Sequence, residues 1–111
     1  MQEQKIQEPI AIGCFATEQL QRLIVQSPDL VTIIDVRNPE EYAEQHIPGA
    51  INIPLPELES HSKKLSKDIM IITVCGKGGG RSAQGAELLK QFGFSSATYL
   101  CGGTFGWYEQ Q

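Results

Sequence analysis

Ile69-Met70-Ile71-Ile72-Thr73-Val74, the most apolar run of the chain, leads straight into Cys75-Gly76-Lys77-Gly78-Gly79-Gly80-Arg81-Ser82. A run this rich in β-branched side chains reads as a central strand buried on both faces, as in a parallel sheet. After the glycines, Ser82–Phe92 sets Gly85, Leu88, Leu89 and Phe92 at i, i+3, i+4 and i+7, one face of a helix that Gly93 ends. In open parallel sheets, ligands bind beyond the carboxyl ends of the strands, where loops run into helix N-termini. Cys75 stands at that position.

The segments on either side repeat the alternation. Ile10–Cys14 is a short apolar run, enough for a strand. Thr17 is placed to cap a helix with Leu20, Leu23 and Ile24 on its buried face, and Ser27-Pro28 stops it. Leu30–Val36, with Asp35 its only charge, reads as another strand covered on both faces. Asn38-Pro39-Glu40-Glu41 has the cap, N1 proline and early acids of a helix start. Ile47-Pro48-Gly49-Ala50 forms a turn, Ile51-Asn52-Ile53 a short strand, Pro56–His61 a helical turn and Lys63–Lys67 a solvated basic stretch. Ala97–Leu100 is a last strand, followed by Gly102-Gly103 and a tail helix holding Trp107. Strands alternating with helices define an α/β fold on a mainly parallel sheet. Residues 1–9 read as a flexible polar lead, 10–108 as the folded domain and 109–111 as a tail.

The 111 residues leave room for one domain, and 41% apolar with 20% charged residues is an ordinary globular balance. Nine Lys and Arg against 13 Asp and Glu give a net charge of −4. That argues against nucleic acid or an anionic membrane as partner, since both need a broad basic face. No run approaches the ~20 apolar residues of a membrane span, and the polar, acidic N-terminus lacks the pattern of a signal peptide. The cysteines, Cys14, Cys75 and Cys101, suggest neither a disulfide framework nor a zinc site. A reducing, cytoplasmic setting is the default, with Cys14 as a core residue.

Four glycines among the five residues after Cys75 let the backbone curl with φ > 0, so that successive N–H groups point into one anion-sized nest. The helix from Ser82 adds its positive end. Such a setting favours the thiolate, the nucleophilic form of a cysteine. The residues therefore predict a Cys75 nucleophile facing an anion cradle of Gly76, Lys77, Gly78, Gly79, Gly80 and Ser82, with Arg81 as a bidentate clamp. Taken alone, Cys75 also reads as a small apolar filler. Nucleotide loops do not fit, because neither G-x-x-x-x-G-K-[ST] nor G-x-G-x-x-G is present.

Over about residues 10–108 the chain resembles the rhodanese-like, thiosulfate sulfurtransferase family. The likeness rests on Ile34-Asp35-Val36-Arg37, on Pro39-Glu40-Glu41-Tyr42, on His46-Ile47-Pro48-Gly49-Ala50-Ile51-Asn52-Ile53-Pro54, on the cysteine loop, and on Leu100-Cys101-Gly102-Gly103 followed by Gly106-Trp107. The resemblance implies a three-layer fold with a five-stranded, mainly parallel sheet flanked by helices. It implies that Cys75 takes the outer sulfur of thiosulfate, or of another small anionic donor such as glutathione persulfide, as a Cys75 persulfide. A thiol, cyanide or protein acceptor then removes it, with neither cofactor nor metal. Asp35 and Arg37 are expected to brace the loops, His46 to stabilise its turn, His61 to lie on the surface and Trp107 to pin the tail helix. Cys101, ending the last parallel strand, is a candidate resolving thiol for Cys75.

The family's loop usually reads Cys-x4-Arg, whereas Cys75 and Arg81 form Cys-x5-Arg, the spacing of rhodanese-fold phosphatases and arsenate reductases. A wider ring of amides suits tetrahedral phosphate or arsenate better than a bare persulfide. Against that, Val74 stands where many such phosphatases carry His, and no Asp or Glu lies between Asp68 and Glu87 to protonate a leaving oxygen. A cysteine-dependent phosphatase or arsenate reductase, and a non-catalytic sulfur carrier or binding module, stay open beside the sulfurtransferase reading.

Overall fold

The apolar run ahead of the cysteine loop becomes the middle strand of the sheet. The computed structural model describes residues 13–109. The lead assigned to 1–9, most of the Ile10–Cys14 run and the last two residues of the tail lie outside the described residues. In chain order the elements are β1 (Cys14–Phe15), α1 (Thr17–Gln26), a 3-10 turn (Pro28–Leu30), β2 (Val31–Asp35), α2 (Pro39–Glu44) and β3 (Ile51–Asn52). A second 3-10 turn (Leu55–Glu57), α3 (Leu58–Ser62), β4 (Met70–Val74), α4 (Arg81–Gln91), β5 (Ala97–Leu100) and α5 (Gly103–Glu109) complete the chain. The five strands run in the order β1-β5-β4-β2-β3, and every pairing is parallel.

Side chains alternate across the sheet, so β2, β4 and β5 each feed two cores. Ile34, Ile71 and Cys75 pack with Leu58 of α3 and Leu89 of α4 on one face. Ile33, Ile72 and Val74 pack with Leu20 of α1 and Trp107 of α5 on the other. The result is the α/β arrangement expected from the alternating pattern, in the three layers that the family resemblance implies. Parallel strands also place the loops that follow β2, β4 and β5 at one edge of the sheet, which is where the site forms.

Two local readings change. The residue capping α1 is Ala16, not Thr17, which is already helical and donates its hydroxyl to the Cys101 carbonyl at 3.2 Å. A long-range partner has displaced the local cap. Cys14 is not a simple core residue either, and Cys101 does not stand as a free resolving thiol. The two form a disulfide across 87 residues, with Cα atoms 5.1 Å apart, which leaves Cys75 as the free cysteine.

The reason is register. The β1–β5 ladder sets Cys14 opposite Tyr99, and the Cys101 N–H continues the ladder by donating to the Phe15 carbonyl at 2.9 Å. Cys101 follows β5 directly and extends the pairing by one residue, so its side chain falls on the side of Tyr99 and meets Cys14 diagonally. Closing so long a loop removes much denatured-state freedom, and we expect Cys101→Ala to lower stability by about 2–4 kcal/mol under non-reducing conditions. Urea unfolding with and without a reductant checks this, because the difference should vanish once the wild-type bond is reduced.

Candidate active site

Cys75 leaves β4 with 5% of its surface exposed. Its carbonyl accepts the Thr104 N–H at 2.8 Å, and the Gly76 carbonyl accepts the Phe105 N–H at 2.9 Å. In a trans peptide the C=O and the following N–H point opposite ways, so the Gly76 and Lys77 N–H groups face away from α5. Among the described residues, no N–H from Gly76 to Arg81 donates to a protein acceptor. These residues line a pocket of about 400 Å³. The curl needs glycine at two places above all. A Cβ on Gly78, which has φ of 85°, would stand 2.6 Å from the Gly102 nitrogen, and one on Gly103 would stand 2.5 Å from the Cys75 carbonyl oxygen.

The Cys75 Sγ lies 3.1 Å from the Gly79 carbonyl oxygen and 3.2 Å from the Ser82 Oγ. Ser82 also donates to the Gly79 carbonyl at 3.0 Å, and its own carbonyl accepts the Thr73 hydroxyl at 2.7 Å. Ser82 is wholly buried, so it stands behind the sulfur and does not line the pocket with Gly76–Arg81. Its hydroxyl has two acceptors in reach, the Gly79 oxygen and a Cys75 thiolate, and can turn to the sulfur when the thiol ionises.

Arg81 is not an open clamp. Its Nη1 and Nη2 donate to Glu41 Oε1 and Oε2 at 2.8 and 3.1 Å, a bidentate pair across the pocket mouth. Glu41 belongs to the first turn of α2, and α2 follows β2, the neighbour of β4. The Arg81 guanidinium, and then the Asn38 N–H that donates to the same carboxylate at 3.1 Å, hold the Glu41 carboxyl down at about 2. Glu41 in turn raises Arg81. Lys77 is exposed and has no ion-pair partner among the described residues. Phe105, 46% exposed, sets its ring against Gly76 at the rim.

Reading the sequence singled out neither Glu41 nor Phe105 for this pocket. The signal was available, since both follow strands that flank β4 in a parallel sheet.

The bracing residues lie just behind. Asp35 and Arg37 are buried and joined by three side-chain hydrogen bonds of 2.8–3.2 Å, and Arg37 also donates to the Gln45 carbonyl at 2.6 Å. Asp35 raises the Arg37 guanidinium further above its ordinary value. The Asn52 amide donates to the Asp35 and Arg37 carbonyls at 3.0 Å each, tying β3 to the end of β2. His46 stacks on Tyr42 with ring centroids 3.8 Å apart, and its Nδ1 lies 2.8 Å from the Tyr42 carbonyl oxygen. His61 is half-buried on α3 and not fully on the surface, its Nδ1 3.1 Å from the Glu57 carbonyl oxygen. Among the described residues no group of His, Cys, Asp or Glu is placed to hold a metal ion, and no helix is long and apolar enough to cross a membrane.

The family profile of the rhodanese-like domain matches residues 16–110. The chain belongs to the rhodanese-like domain family. It is similar to a sulfurtransferase of Allochromatium vinosum, 30% identical over 91 residues that cover 82% of this chain and 83% of the relative. The structure of the human single-domain sulfurtransferase TSTD1 superposes with a TM-score of 0.77 at 26% identity, over 89% of this chain and 97% of that one. YrkF of Bacillus subtilis, named as a sulfur carrier, is 36% identical over 83 residues, 75% of this chain but 44% of the relative. The chain thus spans less than half the length of several curated relatives it matches.

Two outcomes follow from this rhodanese-like site. Because the folded value of Glu41 lies near 2, below the ordinary 4.5, the stabilising effect of its pairing with Arg81 is complete above about 4.5 and is lost as pH falls through about 2. NMR titration of the Glu41 carboxyl should show no inflection between pH 4 and 8. Asp35→Ala should cost about 3–5 kcal/mol in denaturant unfolding, because it leaves the Arg37 guanidinium buried without its counter-charge.

Proposed function

We propose that this rhodanese-like domain transfers sulfane sulfur through a persulfide on Cys75. The observation that carries the reading is the Cys75 sulfur at a pocket lined by Gly76 to Arg81, whose N–H groups have no acceptor among the described residues. The Cys75 thiolate attacks the outer sulfur of thiosulfate, the S–S bond breaks, and sulfite leaves with its electron pair. The sulfur that remains is anionic and sits where the amides can donate to it, which stabilises the persulfide. A thiolate or cyanide then attacks that outer sulfur and returns Cys75 as thiolate, completing a ping-pong cycle. Lys77 adds positive potential at the mouth and draws in a small anionic donor, and no cofactor enters any step. The sulfurtransferase and sulfur-carrier names of the relatives support both halves of the cycle.

The cytoplasmic setting expected from unpaired cysteines loses that ground, because the Cys14–Cys101 bond is of a kind that reducing compartments rarely keep. Cys75 chemistry does not depend on that bond being open, since neither sulfur is needed in the cycle above.

One observation favours a second reading. Five residues separate Cys75 from Arg81, and a loop of that length suits a tetrahedral phosphate or arsenate better than a shorter one would. Glu41 is the carboxylate lining that pocket, yet it is held near 2 and has no proton to give a leaving oxygen at neutral pH. We therefore rank phosphoryl chemistry second.

Incubation with thiosulfate should add about 32 Da, one sulfur atom, to the Cys75 peptide and release sulfite, and Cys75→Ser should abolish both. A protein that gains no mass from any sulfane donor but hydrolyses an aryl phosphate belongs to the second reading.

A further inference from the structure

The pocket mouth holds a carboxylate, which is an unusual thing to place where an anion must enter. Glu41 and Arg81 are 38% and 44% exposed and meet face to face, so the Nη1–Nη2 edge of the guanidinium is occupied in the resting protein. The charged groups lining the pocket are Glu41, Arg81 and Lys77. With Arg81 neutralised by its partner, the attraction left for an incoming anion is Lys77 and the amide ring. A dianionic sulfonate-bearing donor must push Glu41 off Arg81 or sit beside a carboxylate. A donor with a single charge on the sulfur to be transferred needs only the amides, and the half-exposed Phe105 ring offers its organic part an apolar wall.

We propose that Glu41 determines donor specificity by occupying Arg81, so that the site disfavours thiosulfate and takes organic persulfides of low charge. The inference rests on the sulfurtransferase reading above and deepens it. Glu41 acts through Arg81 and touches no reacting atom, so it is a positioning residue. The transfer itself balances as before: the Cys75 thiolate takes the outer sulfur of an organic hydropersulfide, and the donor leaves as its thiolate.

The contact is built to exchange. An exposed ion pair is weak, so a better-placed oxyanion can replace the carboxylate at a modest penalty. The same α2 turn anchors Glu41 through the Asn38 N–H, which keeps the carboxylate at the mouth even when Arg81 is taken from it. A glutamine there retains an oxygen for Asn38 while losing the charge that competes with the donor.

The test compares thiosulfate with the persulfide of 2-mercaptoethanol in wild type and Glu41→Gln. We expect the KM for thiosulfate to fall about 3- to 5-fold in the variant, within the range an exposed ion pair can supply, with kcat and the persulfide KM unchanged within about twofold. An unchanged or higher thiosulfate KM, an equal fall for both donors, or a loss confined to kcat overturns the proposal. Should Glu41→Gln not fold, Cys75→Ser protein, which cannot take sulfur, is titrated with thiosulfate while the Glu41 carboxyl carbon is followed by NMR. A saturable shift supports displacement, and a resonance unmoved at saturating thiosulfate overturns it. Mass gain at wild-type Cys75 is read first. Its absence with both donors removes the sulfurtransferase reading and this inference together, whereas a Cys75 adduct with an insensitive KM removes the inference alone.

Discussion

The site depends on one backbone-to-backbone contact, the approach of the Gly102-Gly103 turn to the Cys75–Gly78 strand exit. Thr104 and Phe105 take the Cys75 and Gly76 carbonyls from behind, and peptide planarity then turns the next two N–H groups forward. A side chain on Gly78 or Gly103 would drive a Cβ to within 2.6 or 2.5 Å of the opposing backbone, so the contact exists only because both residues are glycine. Cys101, the residue before that turn, is joined to β1 by the disulfide and the hydrogen bond to Phe15, and to the start of α1 by the bond from Thr17. The backing of the loop is thereby tied to the far edge of the sheet.

Charge is organised around that loop in two grades. The Asp35–Arg37 pair is dry, with side chains 0% and 3% exposed, and each partner is costly to leave alone, so it serves as a rigid brace. The Glu41–Arg81 pair is wet, with both side chains more than a third exposed, so solvent can replace either partner. One pair holds the scaffold and the other can open. A net charge of −4 does not exclude positive potential at this loop, because the amides and Lys77 act over a few ångströms while net charge is a property of the whole surface.

Much of the fold was legible before any coordinate was known. Leu30–Val36 and Ile69–Val74 announce buried parallel strands by their unbroken apolar character, and these became β2 and β4. The cysteine loop announced itself too, since glycines, thiol and arginine occupy one short span. What was missed shares a cause. Thr17 had a local role on offer and took a distant one. Cys14 and Cys101 carried no spacing signature because an edge-strand register joined them across 87 residues. Glu41 looked like a helix-start acid, which it is, and its second partner, Arg81, opens α4 40 residues away.

The sequence by itself determined the α/β layering, the central strand and the place of the cysteine–glycine loop at its end, because periodicity and glycine content act through neighbours in the chain. Only the tertiary structure decided that Arg81 faces Glu41, that Ser82 stands behind the sulfur, that Phe105 walls the pocket and that two cysteines are joined. Those outcomes follow from which loops a parallel sheet brings to one edge and from the register of its outer strand. Local pattern is blind to both, since a strand's own residues do not record which neighbour it will pair with.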